Sequence, residues 1–290
     1  MIKHLTFAFV LSACSIALAQ AAEDAPAART FHFGPLQVTA LHDKTNDIPD
    51  DGKVFGANVG PEAVAGVLAA AGAPTDKVSL DVDALLVQDG KKTILIDTGL
   101  GPNVQGLLLQ SLAQAGVAPE QITDVLITHV HGDHIGGLVT AQGTQAFPKA
   151  VVKISKPDWQ WLQGQANMAA LIKVITPQVK TFAPGDKVAP GINSVPLKGH
   201  TPGHVGYQIV SGQSRLLDVG DLVHSSIVSL AQPEWAITFD DDRDEGIATR
   251  RAELKKLADS HETIFAPHFP FPGIGQIQAE GDHFIWVPAK

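Results

Sequence analysis

The chain has 290 residues, with 30 acidic side chains against 21 basic ones and a formal net charge of −9. That balance repels a phosphate backbone, and no basic run exceeds pairs such as Lys91-Lys92 and Arg250-Arg251, so a nucleic-acid partner is excluded. The 44% hydrophobic content supports a substantial core, yet no stretch reaches the ~20 apolar residues of a transmembrane span.

The N-terminus reads Met1-Ile2-Lys3-His4, then a mostly apolar stretch, then Ala19-Gln20-Ala21. A positive start, a short apolar middle and a small-x-small end predict a secretory signal over 1–21, cleaved after Ala21 and directing the chain to the periplasm. The mature chain, 22–290, is then expected to form one domain. Leu11-Ser12-Ala13-Cys14 offers the alternative of a lipid anchor at Cys14, but the residues after it stay hydrophobic where a lipoprotein turns polar. Cys14 is the only cysteine, so the mature protein would have neither disulfide nor thiolate ligand.

Along the mature chain strands and helices alternate. Residues 36–41 alternate as a strand, and 61–71 have helical spacing with Pro61 at the start. Strands 84–88 and 93–97 flank Asp89-Gly90-Lys91-Lys92, a hairpin signal. A helix follows at 106–115, then a strand at 124–127, a strand at 151–154 and a helix starting at 157–163. Later strands fall at 192–197, 205–210, 214–217 and 263–266. A helix at 247–260 is expected to expose Arg250, Arg251, Lys255 and Lys256. No internal repeat is present.

The strand at 124–127 runs into Thr128-His129-Val130-His131-Gly132-Asp133-His134, followed by Gly136-Gly137. Three imidazoles and a carboxylate in six positions suit zinc and its first-row neighbours. Burying them without a cation would leave polar groups unpaired. Further candidates each follow a strand-like run: His200 in Gly199-His200-Thr201-Pro202-Gly203-His204, Asp221 after Gly220, and His268 after Pro267.

This ordered set, together with Asp97-Thr98-Gly99, resembles the metallo-β-lactamase superfamily over nearly the whole mature chain. The resemblance implies an α+β fold, a four-layer αβ/βα sandwich, and two divalent cations: zinc first, with manganese, iron or cobalt accepted by the same donors. It assigns His129, His131 and His200 to one cation and Asp133, His134 and His268 to the other, with Asp221 bridging. A carboxylate at Asp221 disfavours β-lactam cleavage, and His131 disfavours the flavodiiron branch, which carries Glu there. The segment 269–281, ending in Phe284-Ile285-Trp286-Val287-Pro288, and the run 116–124 resemble the methyl parathion hydrolase branch, which includes dihydrocoumarin-type lactonases.

The chemistry the resemblance implies is attack by a metal-bridging hydroxide on a carbonyl or phosphoryl centre. No Gly-x-Ser-x-Gly elbow offers a competing nucleophile. Asp133 is the catalytic candidate, orienting the hydroxide or passing a proton, with a ligand-only role as its alternative. Asp97 and Thr98 are expected to orient ligating histidines. Trp161, Trp159, Phe269 and Phe271 are candidate walls of a substrate pocket, each with core packing as its alternative. His224 is placed at the pocket mouth or in packing, and His204 is read as structural. Tyr207, mid-strand, is poorly placed to polarise a lactone carbonyl. The segment 225–242 matches no pattern.

These readings converge on an exported hydrolase of lactones or aryl esters with phosphotriesterase side activity, its partner a small ester, lactone or organophosphate. The alternatives are a β-lactamase or thioester hydrolase of the same superfamily and a metal-binding protein without turnover. A homodimer enters only by analogy.

Overall fold

The computed structural model describes residues 25 and 27–290; the expected signal 1–21 and Cys14 lie outside the described residues. Strands β1 (Ala27–Phe33), β2 (Leu36–Pro49), β3 (Lys77–Gln88), β4 (Thr93–Ile96), β5 (Asp124–Leu126), β6 (Val151–Ser155) and β7 (Val179–Phe182) form a seven-stranded sheet in sequential order. Its first four strands are antiparallel, and β4 to β7 run parallel. Strands β8 (Lys187–Ala189), β9 (Ile192–Pro196), β10 (Val205–Ser211), β11 (Ser214–Asp218), β12 (Thr263–Phe265), β13 (Ile274–Glu280) and β14 (His283–Pro288) form a second sheet, in which only β11 and β12 pair in parallel. The helices are α1 (Pro61–Ala70), α2 (Leu108–Gln114), α3 (Gly132–Ile135), α4 (Lys156–Gln163), α5 (Ala169–Ile175), α6 (Val228–Ala231) and α7 (Arg243–Ser260).

Continuous apolar runs in β3, β4 and β5 are what a sheet covered on both faces requires. Leu85, Val87, Ile94, Ile96 and Leu126 point inward and meet Val205, Tyr207, Leu216 and Phe265 of the second sheet. Their neighbours Ala84, Leu86, Leu95 and Val125 point outward against Leu108 and Leu112 of α2. On the far side, Leu217, Ile264 and Ile277 pack on Leu254, Leu257 and Ala258 of α7. The period-2 alternation thus produces the helix–sheet–sheet–helix layering of the expected αβ/βα sandwich. Each fully buried Leu or Ile contributes about 1.5–3 kcal/mol.

Local signals fare well where they are strong. The β3–β4 hairpin turns at Asp89, whose Oδ1 accepts from Lys91 N at 2.9 Å and Lys92 N at 2.7 Å, and Gly90 takes φ +83°. Helix α1 begins at Pro61. Strand β2 continues eight residues beyond the expected end at 41, and β1, β7, β8, β13 and β14 have no counterpart in the sequence reading. Helix α7 starts at Arg243, capped by Asp242, whose Oδ1 accepts from Glu245 N at 3.0 Å.

One expectation is corrected on that helix. Arg250 is 1% exposed, not solvated, because its guanidinium turns inward to an acidic partner ten residues earlier.

Chain segments leaving the C-terminal ends of β4, β5, β9, β11 and β12 meet at one edge of the sandwich, carrying Asp97, His129, His200, Asp221 and His268 respectively. Open sheets characteristically bind ligands outside the carboxyl ends of their strands.

Candidate metal centre

Short loops deliver these side chains, and glycines let the loops approach closely. A Cβ on Gly137 would lie 2.0 Å from the Thr98 carbonyl oxygen, and one on Gly136 2.1 Å from that of Leu100. Through this contact Thr98 donates from both its N and its Oγ1 to the His134 carbonyl, at 2.8 and 2.9 Å. Asp97 itself sits in the left-handed region at φ +59°, a strained conformation held by its backbone bond to Leu126 O at 2.9 Å.

The structure brings all seven sequence-derived ligand candidates together in two groups: His129, His131, His200 and Asp221; and Asp133, His134 and His268. Asp221 lies between them. Its Oδ2 is 3.6 Å from His129 Nε2 and 3.3 Å from His200 Nε2. Its Oδ1 is 3.2 Å from both His134 Nε2 and His268 Nε2. Asp133 Oδ2 stands 3.6 Å from those same two nitrogens.

Hydrogen bonds at the back of each ring decide which nitrogen faces inward. His134 Nδ1 donates to Asp97 Oδ2 at 2.8 Å, His200 Nδ1 to Asp240 Oδ1 at 3.0 Å, and His268 Nδ1 to the Asp81 carbonyl at 2.7 Å. Thr128 Oγ1 gives its proton to Asp97 Oδ2 at 2.7 Å and so accepts from His129 Nδ1 at 3.1 Å. In neutral rings this leaves four bare Nε2 lone pairs converging on one carboxylate. His129 Nε2 is 3.1 Å from both His131 Nδ1 and His200 Nε2, and in neutral rings the His129–His200 contact sets acceptor against acceptor.

Asp221 Oδ1 and His134 Nε2 are buried and have no hydrogen-bond partner. Leaving such atoms unpaired costs about 1–3 kcal/mol each. A positive ion in each group supplies the missing partner, so the residues present fit a binuclear metal centre.

Without cations, protons serve as substitutes. Burial pulls the His200 pKa down, but Asp221 and Asp240 outweigh it and raise it to about 9. Burial alone would raise the Asp221 pKa, yet His134, His268 and His129 hold it well below the carboxylate range. His204 behaves oppositely: burial and the neighbouring His200 push it down to about 3. Its Nδ1 donates to the Leu197 carbonyl at 2.8 Å and its Nε2 accepts from Asp221 N at 3.1 Å, so this neutral ring holds the backbone of the central carboxylate.

Beside the centre opens a cavity of about 400 Å³. Ile48, Leu80, Val82 and Phe239 form its apolar wall, and Asp133, Asp221 and Asp241 its acidic one; among the described residues no lysine or arginine lines it. His224 lines it too, fully buried and stacked on His268 with centroids 5.6 Å apart. Trp161 stands edge-on to His131 at 6.1 Å, while Trp159 packs against the core outside the first sheet. The expected Phe269 and Phe271 walls are corrected. Phe269 is wholly buried behind the second sheet, edge-on to Trp286 at 5.0 Å, and Phe271 packs edge-on to His42 at 5.6 Å. Both follow His268 in sequence, but the chain turns at once into the core. Tyr207 is buried and donates to the Ile127 carbonyl at 2.6 Å, away from the cavity.

Sequence reasoning missed Asp240, the cavity wall from β2 and β3, and the buried pair His42–Asp83 at 2.8 Å. Asp240 lies in a run of three aspartates with no motif around it, so no local signal could have found it.

The family model described as the metallo-beta-lactamase superfamily matches residues 79–268, which span the whole centre. The chain belongs to the metallo-beta-lactamase superfamily. Among superfamily structures, it is similar to AidC, a dizinc quorum-quenching lactonase in complex with the product N-hexanoyl-L-homoserine: TM-score 0.85 and 28% identity over 91% of this chain and 98% of that one. It is also similar to AbOPH, a hydrolase of the beta-lactamase superfamily: TM-score 0.84 and 30% identity over 92% of this chain and 99% of that one. An N-acyl homoserine lactonase of Bacillus sp is 25% identical over 165 residues, covering 49% of this chain and 63% of that protein. This superfamily member is therefore a metal-dependent hydrolase by family. Among its described residues no helix is long and apolar enough to cross a membrane.

Proposed function

We propose that the protein is an exported two-cation hydrolase of lactones or aryl esters, with His129, His131 and His200 around one cation, Asp133, His134 and His268 around the other, and Asp221 between them. The observation that carries this reading is the position of Asp221, whose carboxylate lies within 3.6 Å of His129, His200, His134 and His268 Nε2, and so faces both histidine groups. Divalent cations held there would lower the pKa of water and polarise a carbonyl oxygen. The chain's own residues do the rest. Asp97, Asp240 and the Asp81 carbonyl hold three imidazoles in the tautomer that presents Nε2. Asp133, half-buried at the cavity floor, is the group placed to take a proton and return it to the leaving alkoxide.

Two of the three carboxylates lining the cavity, Asp133 and Asp221, belong to the proposed ligand set and would face the cations, so the lining charge by itself does not select the substrate. The apolar wall suits an acyl chain or an aryl group. The likeness to AidC supports lactones; aryl esters and phosphotriesters, as in the methyl parathion hydrolase branch, are further candidates, and zinc is the leading cation.

Metal analysis with a substrate panel tests this reading: N-hexanoyl homoserine lactone, dihydrocoumarin, phenyl acetate, methyl paraoxon and the anionic β-lactam nitrocefin. Two metals per chain and turnover of a lactone or ester are expected. Nitrocefin as the sole good substrate would overturn the assignment.

A further inference from the structure

We propose that Arg250 and Asp240 form a buried positioning pair that sets the cation affinity of the His129–His131–His200 group independently of the Asp133–His134–His268 group. This inference rests on the two-cation reading above and assigns a role to two residues outside the ligand set.

The geometry is a chain of three side chains. Arg250 Nη2 and Nη1 donate to Asp240 Oδ2 at 3.1 and 3.2 Å, and the other oxygen, Oδ1, accepts from His200 Nδ1 at 3.0 Å. The side chains of Arg250 and Asp240 are 2% and 1% exposed. A buried ion pair is weak support for stability, because desolvation offsets most of its attraction. Orienting an imidazole is a better account of it: an ionised carboxylate behind the ring keeps Nδ1 protonated and aims Nε2 at the centre.

Arg250 also anchors the segment that carries Asp240. Its Nε donates to the Pro233 carbonyl at 3.0 Å, fixing the far end of the segment. Asp241 N and Asp242 N donate to the carbonyls of His200 and Gly199, at 3.1 and 2.9 Å, so the segment lies along the His200 loop. The fit leaves no slack, since a Cβ on Gly199 would sit 2.1 Å from Gly246 N in the first turn of α7.

Asp97 serves both groups, holding His134 directly and His129 through Thr128, whereas the Arg250–Asp240 pair bonds to a ligand of one group alone, His200. Within its own group, His200 has a carboxylate behind it, whereas His129 leans on a hydroxyl and His131 turns Nδ1 inward. In the other group the carboxylate behind His134 is Asp97, and His268 leans on a backbone carbonyl. Loss of Asp240 or Arg250 should therefore weaken one cation and spare the other.

The test strips the purified protein of metal and titrates it with zinc against a chromophoric chelator. Wild type should take up two equivalents. In Asp240→Asn and Arg250→Met, one equivalent should weaken by roughly 10–100-fold, as for other partners behind a ligand, while the second stays within about twofold. At saturating zinc, kcat of Asp240→Asn should return with KM unchanged. Equal weakening of both equivalents, or of neither, overturns the proposal, as does a kcat that zinc does not restore. Should Arg250→Met fail to fold, the isosteric Asp240→Asn carries the test alone. Fewer than two equivalents in the wild type overturns the two-cation reading itself, and this inference with it.

Discussion

Asp221 Oδ1 lies 3.2 Å from His134 Nε2 in the buried centre, and neither atom has a hydrogen-bond partner. Burial without partners is unfavourable, so the arrangement is one that a bound cation completes. Asp221→Ala removes the carboxylate that faces both histidine groups. It should cost more metal affinity than the about 10–100-fold expected for a partner behind a ligand, and most turnover, while circular dichroism stays native. Wild-type activity with one metal per chain would show that the shared carboxylate is dispensable.

Proton release should accompany metal uptake. His200 in the cation-free protein has a pKa of about 9, raised by Asp221 and Asp240 against the opposing effect of burial, so at pH 8 it is mostly protonated. A cation must displace that proton, and apparent affinity should rise as pH climbs towards 9. Calorimetry in buffers of different ionisation enthalpy should register roughly one or more protons released per chain at pH 8. Uptake without proton release contradicts this account of the centre.

Asp83 supplies a pH signature away from the centre. Burial raises its pKa from 3.8 to about 7, against the hydrogen bond from His42. The folded state thus binds the proton more tightly than the unfolded chain. Its contribution to stability is greatest below pH 3.8, declines as pH rises through the window to about 7, and is flat above it. The upper bound on this decline is about 4 kcal/mol. Denaturant titrations in chelator should show Asp83→Asn gaining on wild type between pH 4 and 7. A difference independent of pH across that window would count against the assignment.

Gly137→Ala probes the close approach that sets His134. The added Cβ would meet the Thr98 carbonyl at 2.0 Å, and neither backbone can retreat without moving the Thr98 bonds to the His134 carbonyl. A loss of about 1–3 kcal/mol, read as a lower melting temperature in chelator, is expected together with weaker zinc binding. A variant matching the wild type in both measurements would mean that the loop is looser than its packing implies.

How much of this was legible beforehand depends on sequence distance. His129, His131, Asp133 and His134 sit within six positions, so their shared purpose is visible in the chain itself. The turn at Asp89-Gly90 and the start of α1 at Pro61 rest on local backbone chemistry and are read the same way. The strands at 84–88, 93–97 and 124–127 were legible as apolar runs, but that both their faces are covered came only with the packing. Edge strands β1 and β14 escaped notice because their partly exposed residues take their meaning from a neighbour's register.

Sequence alone supplied the candidate ligands, the alternation of strands with helices and the acidic net charge, since each is set by residue type and short-range spacing. Tertiary structure decided what stands behind and beside those ligands. Asp240 supports a histidine forty positions away, and the cavity joins Ile48 and Leu80 to Phe239. Arg250, read as solvated because it is charged, lies on the buried stripe of its helix with Leu254 and Leu257, where an aspartate outside the helix is its counter-charge. Pairings of that kind depend on which loops the packed sheets bring to one edge, and no periodicity along the chain encodes them.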